Sequence, residues 1–151
     1  MINQSPSADE SCNLSVKLQY RDVRRFMEQL QWSVDHTATL VRAYAALIKS
    51  APDEDAVIEL DRMMLEEKAI FSLLSAMYME LKGVEPQARP ESFDSPTYAD
   101  GLLRAVQLER EAARHCRDTY LLTPSPRVRD LFFYGWTVSM DHSTGLVLMM
   151  Q

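Results

Sequence analysis

The sequence predicts an all-α fold, an antiparallel four-helix bundle of two helical hairpins joined by a long crossover. Three observations predict it. Apolar residues recur at helical spacing in four separate stretches, glycine is scarce at 4 in 151 residues, and β-branched residues are scattered rather than alternating. A chain of this length fills one cored domain and is too short for two large ones. With 22 acidic against 16 basic residues the formal net charge is −6, and no Lys/Arg cluster is present to neutralise phosphates, so nucleic acid is not an expected partner. No apolar run reaches the roughly 18 to 20 residues of a membrane helix, and the polar start lacks the basic and apolar regions of a secretory signal. The expectation is a soluble, cytoplasmic protein. Cys12 and Cys116 form neither a disulfide framework nor a CxxC metal knuckle, which suits a reducing compartment.

Each element follows from local chemistry. Residues 1–17, opening MINQSPSADESC, are rich in Ser, Asn, Asp and Pro and read as a flexible arm ahead of a bundle domain over 18–151. The first helix, from about Ser15 to Ser50, carries Met27, Leu30, Val34, Val41, Tyr44 and Ile48 on one face. Ala51-Pro52-Asp53 breaks it, and Asp53, Glu54 and Asp55 suit the positive start of the next helix. The second helix runs to about Lys82 with the stripe Val57, Leu60, Met64, Glu67, Phe71, Leu74, Tyr78 and Leu81, and Gly83 as its C-cap. Pro86, Pro90 and Pro96 keep the following linker extended, able to cross the length of a bundle. The third helix, about Pro96 to Leu122, has the stripe Leu102, Val106, Glu109, Ala113, Cys116 and Tyr120, ended by Thr123-Pro124-Ser125-Pro126. The fourth, from about Arg127 toward Gln151, aligns Leu131, Gly135, Val138, His142, Gly145 and Met149. Its aromatic run and LVLMM ending place apolar residues on more than one face, which predicts burial against a second copy, a homodimer.

The two halves resemble each other at an offset of 72: Leu30 falls on Leu102, Val34 on Val106, Ala51-Pro52 on Thr123-Pro124 and Leu74 on Leu146. Each half is therefore a hairpin, and two hairpins with a long connection make a bundle with one crossover. Residues equidistant from Pro52 or Pro124 lie at similar heights, which gathers Thr37, Glu67, Ile70, Glu109, Ser139 and His142 into one central layer. A charge in that layer costs several kcal/mol unless it is paired, protonated or metal-bound.

The stretches HTATLVRAYAALIKSAPDE from His36, LEEKAIFSLLSAMYMELKG from Leu65, LEREAARHCRDTYL from Leu108 and PRVRDLFFYGWTVSMDHSTG from Pro126 resemble the ferritin-like superfamily, in particular rubrerythrin-like proteins. The resemblance covers about Asp22 to Gln151. It implies a dinuclear iron or manganese plan with a Glu on each of two helices and an ExxH pair on each of the other two. On that plan the first Glu position falls on Thr37, the first ExxH on Glu67 and Ile70, the second Glu on Glu109, and the second ExxH on Ser139 and His142. Thr37, Ile70 and Ser139 are not ordinary ligands, so the site is a degenerate di-iron site. The resemblance implies that Glu67, Glu109 and His142 surround one metal position, a set that suits one Fe, Mn or Zn ion. No catalytic residue and no organic cofactor is implied, and the absence of a CxxC rubredoxin segment removes the usual electron relay of rubrerythrins.

Two readings of these residues stay open. In one, Glu67, Glu109 and His142 hold a single metal; in the other they form a metal-free hydrogen-bonded network in a bundle that serves as a structural or protein-interaction module. Glu66 lies one position off Glu67, and helical phase favours Glu67. His36 reads as a solvated or interface histidine, Glu111 and His115 as a solvated i, i+4 pair, Asp141 as surface or interhelical, and the 9 Met as core filling.

Overall fold

The computed structural model describes residues 20–151, and the arm expected over 1–17 lies outside them. Four helices follow in order: α1 (Tyr20–Ser50), α2 (Glu54–Lys82), α3 (Tyr98–Leu122) and α4 (Pro126–Met149). Helix ends are set by side chains close in sequence. Asp53 is extended and accepts a hydrogen bond from the Ala56 amide at 2.8 Å, starting α2. Gly83 ends that helix at φ 76°, where its amide donates to the Met79 carbonyl at 2.8 Å; a left-handed residue there favours glycine. Thr97 caps α3 by accepting from the Asp100 amide at 3.1 Å and donating to the Asp100 carboxylate at 2.8 Å. Pro126 stands in the first turn of α4.

α1 packs on α2 and α3, and α4 packs on α3 and α2, so the two hairpins lie side by side. The α1–α3 contact is antiparallel. His36 meets Leu108 and Gln29 meets His115, while Leu47 comes so close to Gly101 that a Cβ there would sit 2.7 Å from its Cδ2. The crossover after Gly83 runs along α1. Gln31 Nε2 donates to the Gln87 carbonyl at 3.0 Å, the Arg89 amide to Asp35 at 2.8 Å and the Glu91 amide to Thr39 at 2.9 Å. Four residues of helix rise about 6 Å and two extended residues span about 6.6 Å, so Gln31, Asp35 and Thr39 match alternate residues of the strand-like segment.

Two apolar clusters fill the interior on either side of the central layer. One gathers Leu40, Tyr44, Leu47, Leu60, Met63, Leu102 and Leu146; the other gathers Leu30, Val34, Ile70, Leu74, Phe132 and Val138. Burying each such large side chain contributes about 1.5–3 kcal/mol before conformational entropy is subtracted. The core face of α2 is Leu60, Met63, Glu67, Ile70, Leu74 and Met77, whereas Met64 and Phe71 are half-buried and Leu81 is exposed. The face is turned from the expected stripe because α2 meets both α1 and α4. On α4, Phe132 and Leu146 are buried in place of Leu131 and Met149, and Phe133 and Tyr134 stay exposed.

Asp53→Ala and Gly83→Ala are each expected to cost about 1 kcal/mol, through a lost cap and a strained left-handed backbone, and to add because they sit at opposite ends of α2. Urea unfolding of the single and double variants checks this.

Candidate metal centre

Glu67 of α2, Glu109 of α3 and His142 of α4 converge in the middle of the bundle; Glu109 and His142 are fully buried and Glu67 is 2% exposed. His142 Nδ1 lies 2.8 Å from Glu109 Oε1 and 3.2 Å from Glu67 Oε1, and one ligand atom from each residue falls within 4.8 Å of the others. Tyr44 of α1 completes the layer. Its hydroxyl donates to Glu109 Oε1 at 2.5 Å, and its ring stands edge-on to His142 with centroids 5.7 Å apart. Within this layer two buried atoms have no hydrogen-bond partner, Glu109 Oε2 and His142 Nε2. The second of these faces Glu66, whose Oε2 is 3.7 Å away. Glu66 is held by Arg62, which also binds Glu59 and reaches Asp141 at 3.5 Å, so Asp141 bridges helices as expected.

Burial and the neighbouring Glu109 charge raise the Glu67 carboxyl well above the usual carboxylate range. Burial alone would lower His142, but its hydrogen bonds to Glu109 and Glu67 and their charges outweigh that and raise it. Burial, reinforced by Glu109, raises the Tyr44 phenol, which stays a hydrogen-bond donor. The donor set fits a divalent ion: one imidazole nitrogen aimed between two carboxylates, with lone pairs of Glu109 Oε2 unclaimed by protein.

The other three central positions are Thr37, Ile70 and Ser139, and they line a cavity of about 20 Å³ together with Glu67 and Trp32. An offset of 72 relates Glu109 to Thr37, Glu67 to Ser139 and His142 to Ile70, so each side chain of the buried triad has its repeat mate on the cavity wall. Cys116 also lines this cavity; burial, then the two glutamates, push its thiol up to about 12, and it is inert as a nucleophile.

Two histidines depart from the sequence-based reading. His36 is buried, donating from Nε2 to the Leu108 carbonyl at 2.7 Å, not solvated. His115 does not pair with Glu111; its Nε2 donates to the Gln29 carbonyl at 3.0 Å. Both rings stack on Trp32, with centroids 4.3 and 4.0 Å away. The carbonyls of Leu108 and Gln29 belong to the facing helix, so no i, i+4 pattern within one helix could disclose these bonds. Asp35, the anchor of the crossover, was equally silent in the sequence.

No family model matches the chain, and no curated protein matches its sequence. Two solved structures are similar in fold. A conserved hypothetical protein from Mycobacterium tuberculosis superposes with a TM-score of 0.76 at 14% identity, over 85% of this chain and 92% of that one. A dodecameric thioferritin, the bacterioferritin-related protein from Bacteroides fragilis, superposes with a TM-score of 0.74 at 19% identity, over 93% of this chain and 91% of that one. At these identities the likeness speaks to the fold alone, and the fold is a ferritin-like four-helix bundle. Among the described residues no helix is long and apolar enough to cross a membrane.

In the metal-free protein Glu67 and His142 both have folded pKa values above their unfolded ones, so the folded state holds more protons. Their contribution to stability is largest at acid pH and is lost as pH rises through the raised values. Thermal melts are therefore expected to show a lower Tm near pH 9 than near pH 6, a span over which Glu67, raised to about 8, and His142, raised to about 10, both lose part of their contribution. A Tm rising over that span would contradict the raised values of Glu67 and His142.

Proposed function

We propose that this ferritin-like bundle binds one divalent metal ion, Fe(II), Mn(II) or Zn(II), through Glu67, Glu109 and His142. The observation that carries the reading is the free Glu109 Oε2 beside a His142 Nδ1 that already addresses both carboxylates. In this reading His142 holds the ion through Nδ1 and Glu109 through its carboxylate, oriented by the Tyr44 hydroxyl, while Glu67 approaches from α2. A redox-active ion bound there supplies one-electron chemistry toward dioxygen or peroxide. The chain's own residues bind it, exclude bulk water through the apolar clusters on both sides, and give up the protons held by Glu67 and His142 as it enters. The reduced Cys116 thiol and the metals concerned suit a cytoplasmic setting.

A second reading rests on the same distances: His142 Nδ1 donating to Glu109 and Glu67 links the three side chains by hydrogen bonds without a metal, and a metal-free bundle of this kind serves as a structural or interaction module. Metal content after anaerobic loading with Fe(II), Mn(II) or Zn(II), followed by desalting and mass spectrometry, decides between them. About one equivalent is expected in the wild type and background in His142→Ala and Glu109→Ala, with circular dichroism confirming that both variants are helical. Background metal in the wild type would leave the second reading.

We further propose that the protein assembles with copies of itself. Ile58, Leu65 and Leu73 of α2 and Phe133, Met140 and Leu148 of α4 are all about half exposed or more, on two adjacent antiparallel helices. The thioferritin it resembles is a dodecamer, and a dimer is the smallest assembly that covers this face. Light scattering after size exclusion is expected to give at least a dimer, reduced toward monomer by Leu65→Glu together with Met140→Glu; a monomeric wild type at micromolar concentration would refute the assembly.

A further inference from the structure

The end of the bundle where α1 and α4 start and α2 and α3 finish holds a pocket of about 390 Å³ that the central layer does not use. Leu81 in its wall lies fourteen residues along α2 from Glu67, about 21 Å at the helical rise, so the pocket is separate from the metal centre. The apolar walls are Val23, Phe26 and Met27 of α1, Leu81 of α2, Leu122 of α3 and Val128 of α4. Phe26 packs edge-on against the buried Phe132 with centroids 6.4 Å apart, which ties the pocket to the core. Val23 and Leu81 are more than half exposed, so the hydrocarbon they present is uncovered. Two cations share the same lining, Arg25 and Lys82, and no carboxylate stands with them among the described lining residues. Lys82 Nζ donates to the Tyr78 hydroxyl at 3.1 Å, and neither cation forms an ion pair among the described residues. Glu28 and Glu80, close to them in sequence, are held by Arg24 and Arg127, while Asp35, in the polar hollow beside Lys82, is engaged by Gln31 and the Arg89 amide.

We propose that this pocket binds one unbranched carboxylic acid of about ten carbons as its anion, with the chain against Phe26 and Leu81 and the carboxylate at Arg25 and Lys82. The volume sets the length. At the ~30 Å³ that one water takes in the liquid, 390 Å³ holds about thirteen such volumes, and the decanoate ion has roughly a dozen non-hydrogen atoms. The lining sets the chemistry. A cationic amphiphile would bring like charges together at Arg25 and Lys82, and a small inorganic anion would leave the hydrocarbon walls in water, whereas a single-chain anion satisfies both parts of the site. The pocket asks nothing of the central layer, and it stands whether or not Glu67, Glu109 and His142 hold an ion.

Calorimetric titration of the full chain with sodium decanoate, kept below its micelle-forming concentration, is expected to show saturable binding of about one equivalent per chain. Octanoate, shorter by two methylenes, is expected to bind about sixteenfold more weakly, about fourfold for each methylene, and decyltrimethylammonium is expected to give no saturable heat. Arg25 and Lys82 are exposed, so Arg25→Gln combined with Lys82→Gln keeps the helical circular dichroism of the wild type. That variant is expected to weaken decanoate about tenfold, the scale of losing charge-assisted hydrogen bonds at the mouth. Leu81→Gln, at another exposed position, weakens it through the wall instead, and decanoate is expected to shift the NMR signals of Phe26, Leu122 and Val128. Absence of saturable decanoate binding would overturn the site, as would equal binding of decyltrimethylammonium or an unchanged affinity in the Arg25 and Lys82 variant. In the ligand-free full chain, nuclear Overhauser contacts from the Leu122 and Val128 methyls to residues 1–19, or to a second copy in an isotope-mixed sample, would give the pocket to that occupant and equally overturn the ligand.

Discussion

Two carboxylates and an imidazole buried at the centre of a helical bundle constrain everything around them. Taking such groups out of water costs several kcal/mol each, and that cost is offset only when their partners arrive from other helices at one height. Tyr44 comes from α1, Glu67 from α2, Glu109 from α3 and His142 from α4. A one-turn slip of any helix would strand a charge, whereas the leucine-rich layers above and below would tolerate repacking. The polar layer therefore selects the register, and the apolar layers supply the gain that keeps it buried.

The internal repeat gives this layer its asymmetry. His36 and Leu108 are 72 residues apart and touch, so the two hairpins meet where a residue faces its own repeat mate. Around that point the repeat pairs Glu109 with Thr37, Glu67 with Ser139 and His142 with Ile70. One member of each pair is charged or basic and the other is neutral, which concentrates electrostatics on one side and leaves a small cavity on the other. A symmetric scaffold thereby holds an asymmetric centre, and the α1 seam of Gln31, Asp35 and Thr39 fixes the crossover that makes this arrangement of hairpins possible.

Much of this was legible in the sequence because it depends on neighbours along the chain. Asp53, Gly83 and Thr97 act on amides and carbonyls within four residues, so helix ends could be placed close to where they fall. The equal spacing about Pro52 and Pro124 was sufficient to bring Glu67, Glu109 and His142 to one height, since a tight turn leaves little freedom in an antiparallel hairpin. The phase of α2 was less legible: a helix flanked by two others buries an arc wider than one stripe, so Met63 and Met77 joined Leu60 and Leu74 inside.

By itself the sequence determined an all-α bundle of two related hairpins with Glu67, Glu109 and His142 interrupting the apolar stripes near mid-helix, because periodicity, caps and turn prolines are local and additive along the chain. Only the tertiary structure decided that His36 and His115 clasp Trp32, that Asp35 tethers the crossover, and that Thr37, Ile70 and Ser139 line a cavity. The bonds that hold them join His36 to Leu108, His115 to Gln29 and Asp35 to Arg89, each pair more than fifty residues apart, and their meeting depends on helix rotation and on backbone groups of a facing segment. A backbone carbonyl offers the same bond whatever its side chain, so no residue type announces it in advance.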